Sequence, residues 1–574
     1  MAETLISPGV LARENDSSFV SRRPVTAGAA IIGPTVKGPV EVPTIVTTFS
    51  EYANTFGTTF DSGSATNSKT YTYFTSIAAY NYFVNGGTSL LVARVVTGSY
   101  TAASTLTGSG TAIKDSGSLN EVFTLETLSK GTIMNNTGSL SSGSLISGSK
   151  DNVRWQIVNT NSSSGTFDLL IRRGDDNTLT PTVLETFTML SLDPNSSNFI
   201  SRVIGDQVQN YNGTTIQIDT SGSYANRSNF IRVKNVAITT LNYFDNNGIA
   251  KNIYTASLPL VGSGSFGGAT GTVRGGAKFY NDISSTDTQG LTGGCYDNMI
   301  NLLSNTDDFK FNVLLTPGLY DADYTAQVTS IITNTQNRGD NIYVVDPVAY
   351  GKVVSTVTAQ AATRNTSYAA EYWPWCQVVD PSTGELVWVP ASTVIGGVYA
   401  YNDSVAEPWF APAGINRGGL SQVVRVEQKL SASNRDTLYN GKVNPIATFP
   451  GTGIVVYGQK TLQTRASALD RVNVRRLLIA LKSYISQVAL NLVFEQNTIA
   501  TRNQFLSQTN PYLTSVQQRQ GLYAFKVIMD ETNNTPDVID RNELVGKIFV
   551  QPTKTAEFIY LDFNITPTGA TFGA

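Results

Sequence analysis

Between Tyr296 and Asp346 the chain runs YDNMINLLSN, FKFNVLLTP, ADYTAQVTSIITNTQ and NIYVVDP. This alternation constrains the fold more than any other stretch. The first and third pieces carry apolar residues at helical spacing, and the second and fourth are short apolar runs that end at proline. A parallel neighbour in a sheet can be reached only through a connection long enough to hold a helix. Short apolar strands separated by helices therefore predict a parallel sheet with crossovers, and an α/β core.

Upstream, AGAAII (Ala27–Ile32) and VPTIVTT (Val42–Thr48) read as strands separated by the turn-rich GPTVKGP. Ser50 is expected to cap a short helix, EYANTF, stopped at Gly57. YTYFTSIAAYNYFV predicts a longer helix with Phe74, Ala78 and Tyr82 on one face, closed by Gly86-Gly87 and followed by the strand SLLVARVV. From about Thr97 to Ile249 Ser, Gly, Thr and Asn dominate, broken by strand-like pieces such as VRWQIVN and FDLLIRR. Apolar pieces recur too often there for a random coil, so the stretch reads as a β-rich, solvent-facing insertion.

After a boundary near Lys442 comes the helix VNVRRLLIALKSYISQVALNLVF, with Val474, Leu477, Leu478, Leu481, Ile485 and Val488 on one stripe. Arg471, Arg475 and Lys482 fall off that stripe and read as a solvated or inter-subunit face, and Arg475-Arg476 as salt-bridge formers. The strands LYAFKVIMD, GKIFVQ and EFIYLDFNI follow; in the last, Ile559, Leu561, Phe563 and Ile565 share one face. The divisions are an N-terminal extended arm at 1–25, core at 26–96, β-rich insertion at 97–249, further core at 250–441, an α+β region at 442–564 and a C-terminal arm at 565–574.

Composition narrows the chemistry. The 574 residues contain no histidine, which removes Ser-His-Asp and Cys-His pairs, HExxH zinc sites and imidazole acid/base groups. Charged residues are only 14% against 41% hydrophobic, so the surface must be largely neutral, and a net charge of −3 gives no footprint for nucleic acid or anionic membrane. No basic-then-apolar leader and no membrane-length apolar run is present, so assembly in a cytoplasm is the expectation. Gly262-Ser-Gly264-Ser-Phe-Gly267 matches a dinucleotide pattern, but GATGTVRGG after it cannot open a helix, so a loop is expected. No phosphate-loop motif occurs. The pairs Asp175-Asp176 and Asp307-Asp308 read as solvated or capping acids. YAAEYWPWCQVVDPSTGELVWVPAS is different in kind: Tyr372, Trp373, Trp375 and Trp388 must mark a core or a permanent interface, with Cys376 a buried thiol. No cofactor, no metal and no catalytic residue is expected.

Several segments, in order, resemble the contractile tail sheath proteins of bacteriophages: ISPGV with Glu14 and Asp16, AAIIGPTVKGPVEVPTIVTTFSEYANTFG, FVNGGTSLLVARVV, LSLDPNSSNFISRVIG, YAAEYWPWCQVVDP, VPASTVIGGVYA, EPWFAPAG, VNPIATFPGTGIVVYGQKTL, VNVRRLLIALKSYI, LVFEQN and NNTPDVIDRNELVGKIFVQPTKTAEFIYLDF. The chain departs from the family at Val456–Thr461 and Tyr401–Asp403, and most of all in the Ser-rich insertion. The resemblance implies an α/β core of subtilisin-like topology without a triad, outward insertion domains and a C-terminal α+β domain against the tail tube. It implies a structural, non-enzymatic virion protein, made in the host cytoplasm, with hexameric rings stacked helically around the tube and with baseplate and tail terminator partners. Such a sheath passes from a metastable extended state to a contracted one; a few kcal/mol per subunit sum to hundreds without nucleotide hydrolysis. The sheath of a related injection system, or another virion component, is the alternative.

Both ends are extended and Pro/Gly-punctuated: Thr4-Leu5-Ile6-Ser7-Pro8-Gly9-Val10-Leu11 at the start and ITPTGATFGA at the finish. An isolated strand is barely stable in water. Leu5, Ile6, Val10 and Leu11, with Ile559, Leu561, Phe563 and Ile565, are therefore expected to be donated as strands to neighbouring copies. Arg471, Arg475 and Lys482 are the candidate tube- or neighbour-facing basic residues.

Overall fold

The computed structural model describes residues 25–62, 69–105, 112–136, 145–273, 280, 283–558 and 560. Its centre is one sheet of eight strands: β1 (Val25–Gly33), β2 (Thr44–Val46), β3 (Leu90–Arg94), β4 (Phe309–Tyr320), β5 (Ile342–Asp346), β6 (Ala369–Trp373), β7 (Val443–Phe449) and β8 (Gly453–Val456). They lie in the order β2-β3-β1-β4-β5-β6-β7-β8. From β3 to β7 all pairs are parallel, with Ile31 opposite both Val92 and Leu315. The edge strands β2 and β8 are antiparallel.

Parallel strands covered on both faces need apolar residues at nearly every position, and β3 and β5 are buried throughout. Helix α2 (Thr325–Arg338) brings Ile331 to the same internal space as Leu314. On the Leu315 side lies α3 (Ser392–Val405), packed against α1 (Phe74–Val84). Gly396-Gly397 permits this approach: a Cβ on Gly396 would lie 2.6 Å from Leu315 Cδ1, and one on Gly397 2.7 Å from the Asn81 carbonyl oxygen. Asn81 Nδ2 donates to the Thr393 carbonyl at 3.2 Å across the contact. Tyr372, Trp373, Trp375 and Cys376 are all buried in this core, while Trp388 is only partly so.

Three local expectations shift. The short helix is Phe49–Phe56, and its cap is Thr48, whose side chain accepts from Glu51 N; Ser50 lies inside the first turn. The boundary expected near Lys442 falls within the core, because β7 pairs in parallel with β6, Val443 opposite Glu371. The insertion returns later than Ile249: Ser104 N bonds the Gly267 carbonyl at 2.8 Å and Thr132 N the Gly271 carbonyl at 2.7 Å.

That insertion has its own core, running from Ala103 to Ala269. One sheet orders Val183–Ser191, Thr166–Arg173, Val153–Asn161 and Gly262–Gly264; another orders Ile231–Val236, Glu121–Lys130 and Ala102–Ser104. The glycine motif thus supplies an edge strand, Gly264 opposite Trp155, and residues 265–273 after it are not helical. Asp176 is not solvated, as its pairing with Asp175 suggested, but buried between Arg154 (3.3 Å) and Arg172 (2.7 Å). At the joint with the core, the buried Arg94 donates to the carbonyls of Gly38 (2.6 Å) and Lys130 (2.9 Å). Burial pushes its guanidinium down to about 10.

The C-terminal part carries α4 (Ala432–Asn440) against β7, then α5 (Val472–Leu490), α6 (Ile499–Gln518), β9 (Leu522–Ile528) and β10 (Lys547–Pro552). The apolar stripe of α5 behaves as its spacing requires: Leu477 and Leu481 are buried with Leu513, Val516 and Leu522, and Leu478 and Ile485 pack alongside.

Candidate assembly surface

Strands β9 and β10 pair antiparallel with each other and, among the described residues, with no other strand. Phe525, Val527, Ile548 and Val550 turn onto the cluster formed by α5 and α6, while Tyr523 and Phe549 point to solvent. A two-stranded sheet is marginal on its own, and two bare edges present rows of unpaired N–H and C=O groups. Backing by α5 and α6 keeps the pair in place, so its edges are available to further strands.

This unit is fixed to the α/β core by arginines at the head of α5 and the tail of α6. Arg476 pairs with Asp403 at 2.5 Å and lies over the Tyr399 ring. Arg519 pairs with Glu407 at 2.6 Å and covers Trp409, whose Nε1 donates to the Arg519 carbonyl at 3.0 Å. The Tyr401–Asp403 segment, where the chain departs from the family pattern, thus supplies a partner for a buried cation.

The three candidate basic residues separate. Arg475 turns inward: it is 4% exposed, stacks 3.9 Å from the Tyr368 ring centroid and donates to Ser367 Oγ. Burial lowers its guanidinium. Arg471 is half-buried and pairs with Asp470 (3.0 Å) and Glu557 (2.8 Å). Lys482 is exposed, and its Nζ lies 3.3 Å from the Tyr368 hydroxyl.

Glu557 is a residue whose role the sequence did not disclose. It accepts from Arg471 Nε (2.8 Å), Tyr439 OH (2.5 Å) and Gln459 Nε2 (3.0 Å), while Gln459 also donates to Thr555 Oγ1 at 2.7 Å. Burial alone would raise its carboxyl, but these hydrogen bonds hold it below the usual carboxylate range. Thr553–Phe558 belong to no strand, so the strand expected to begin at Glu557 has not begun there; side chains from α4, from the segment after β8 and from the head of α5 hold this stretch instead. Its partners lie 86 to 118 residues away, a separation no local pattern reports. The proposed donated residues Leu5, Ile6, Val10 and Leu11, and Ile559, Leu561, Phe563 and Ile565, lie outside the described residues.

Two buried carboxylates stand elsewhere. Asp346 accepts from Ser392 N (2.9 Å) and Oγ (2.5 Å) at the head of α3, and burial pushes it up to about 7. Glu371 is fully buried with neither oxygen bonded, and burial raises it well above the carboxylate range. Among the described residues no group of His, Cys, Asp or Glu is placed to hold a metal, and no helix is long and apolar enough to cross a membrane.

Residues 295–462 match the family described as the phage tail sheath protein central domain, and residues 464–566 match the phage tail sheath C-terminal domain. From residue 295 to 566 the sequence is therefore similar to two successive domains of phage tail sheath proteins. The first sheath domain thus covers α2, α3 and β4 to β8, and the second the unit with the bare strand pair. The curated tail sheath protein of Vibrio phage KVP40 is 48% identical over 185 residues, 32% of this chain and 28% of that one. That of Salmonella phage ViI is 31% identical over 286 residues, 46% and 45% of the two chains. The match therefore spans less than half the length of these relatives. A sheath tail protein from Listeria innocua shares the fold, with a TM-score of 0.52 at 10% identity over 92% of this chain and 95% of that one.

Proposed function

We propose that the protein is the structural subunit of a contractile phage tail sheath, forming stacked hexameric rings around a tail tube between baseplate and terminator. In this reading each copy donates its N- and C-terminal arms to the β9–β10 pair of neighbours. The supporting observation is that pair itself: two strands with bare edges, held on a unit clamped to the core, next to the root of the C-terminal arm. Main-chain pairing would satisfy both edges and leave each body free to tilt and slide while the covalent arms hold the lattice together. Contraction would then draw on the free-energy difference between two packings, small per subunit and large in sum. We read the α/β core as subtilisin-like at the level of topology alone; a chain without histidine carries no protease triad, and fold does not imply function. The protein would act in the virion after assembly in the host cytoplasm.

Negative-stain microscopy of purified protein tests the class, long striated cylinders being the expected result and closed shells or spikes the contrary one. Deleting residues 1–20 should leave a folded monomer that builds no cylinders; normal cylinders from that deletion would refute strand donation. Leu561→Pro, which removes a ladder donor, should also block assembly with the circular dichroism spectrum unchanged.

A further inference from the structure

We infer that before assembly residues 561–574 of each copy rest in a cleft of that same copy, between the core and the C-terminal unit, and leave it only when a neighbour accepts them. The inference rests on the strand-donation reading above. The cleft has a volume of about 810 Å³, and one wall is the chain's own Thr553–Phe558. Tyr457, Tyr523 and Phe558 line it and are 50%, 63% and 68% exposed. Large aromatic faces left in water along a concave surface mark a place where something apolar binds.

Its lining sets Arg417, Arg435 and Lys554 against Asp436 and a Glu557 already paired with Arg471, a balance that suits an acidic guest. Arg417 and Arg435 line the cleft, each over an aromatic ring and each donating to a backbone carbonyl, of Ala411 and Leu430, at 3.1 Å. Neither has an ion-pair partner among the described residues. The segment LDFNITPTGATFGA carries one charged side chain, Asp562, and alternates Leu561, Phe563 and Ile565 so that one edge is apolar. It suits both the rings and the guanidinium groups.

Continuity decides which copy supplies it. Thr553–Phe558 form part of the cleft wall, and residue 561 follows Phe558 by only three positions in the same chain. Extended, residues 561–574 reach roughly 45 Å, enough to cross the cleft. A tether this short gives an effective concentration on the order of millimolar, against which a neighbour's copy must compete. A parked arm cannot cross to a neighbour, so sheath subunits would stay apart until a growing end offers the open edges of β9–β10.

The test compares amide exchange in dilute full-length monomer with that of the full-length triple variant Leu561→Ser, Phe563→Ser, Ile565→Ser. Peptides covering 409–417 and 435–439 should exchange at least tenfold faster in the variant. A synthetic peptide of residues 561–574 at millimolar concentration should restore the slow rate, and Arg417→Glu with Arg435→Glu should abolish the protection in an otherwise wild-type chain while exchange across the insertion stays unchanged. Equal exchange in wild type and triple variant, or protection that survives the charge reversal, overturns the inference. Cylinders built by the wild type alongside equal exchange would overturn the parking alone and leave the sheath reading standing.

Discussion

Replacing Glu557 with alanine should free the root of the C-terminal arm without unfolding the body. Glu557 accepts from Arg471, Tyr439 and Gln459. Hydrogen bonds to a charged group contribute about 1.5–3 kcal/mol each in net terms. Arg471 keeps Asp470 as a partner at 3.0 Å, and the site is partly open to solvent, so the three together count for about 3 kcal/mol. At 1.4 kcal/mol per factor of ten this is roughly a hundredfold increase in opening of residues 553–558. The effect should stay local, because that stretch belongs to no strand and α5 and α6 keep their own cluster. Hydrogen exchange of a peptide spanning 553–560, beside a urea unfolding curve, reads both parts. The sign with pH follows from the depressed carboxyl: the clamp is fully present above the unfolded value of about 4.3 and is lost as pH falls through the folded value. Wild type in acid should therefore exchange like the variant. A change of less than about threefold in the exchange of 553–560 would refute the clamp, since the bonds as counted predict far more.

Three further outcomes follow from the packing. Gly397→Ala, whose Cβ would meet the Asn81 carbonyl oxygen at 2.7 Å, should cost about 1–3 kcal/mol in chemical denaturation by forcing α1 and α3 apart. Arg94→Met should remove the guanidinium donor from the Lys130 carbonyl and leave the Gly38 carbonyl with the Lys130 N–H alone, costing roughly 1–3 kcal/mol and exposing the joint of the insertion to limited proteolysis. Asp346, raised to about 7 by burial, holds its proton more tightly folded than unfolded, so its contribution to stability falls as pH rises from about 4 to 7; in Asp346→Asn that part of the slope should be missing.

The periodic features were legible in the sequence. The alternation over 296–346 yields parallel β4 and β5 around α2, and the stripe on α5 faces the C-terminal cluster, because each is set by side chains a few residues apart. What escaped were pairings between distant segments. Arg475 stands off the apolar stripe and reads as solvated, yet Tyr368 and Ser367, more than a hundred residues earlier, fold over it. Asp176 looks like half of a surface acid pair until two strands bring Arg154 and Arg172 around it. Glu557 sits in a stretch that alternates like a strand, and only three remote donors make it an anchor. The boundary near Lys442 misled because the sheet continues past it through β7, whose partner β6 lies some seventy residues earlier.

The most direct test is an electron cryo-microscopy map of assembled cylinders, traced through the β9–β10 pair. The account predicts added strands paired to the free edges of Leu522–Ile528 and Lys547–Pro552, running back to residues 1–20 of one neighbouring copy and to the segment after Tyr560 of another. Bare edges in the assembled lattice, or edges paired only with the same copy's own ends, would contradict it.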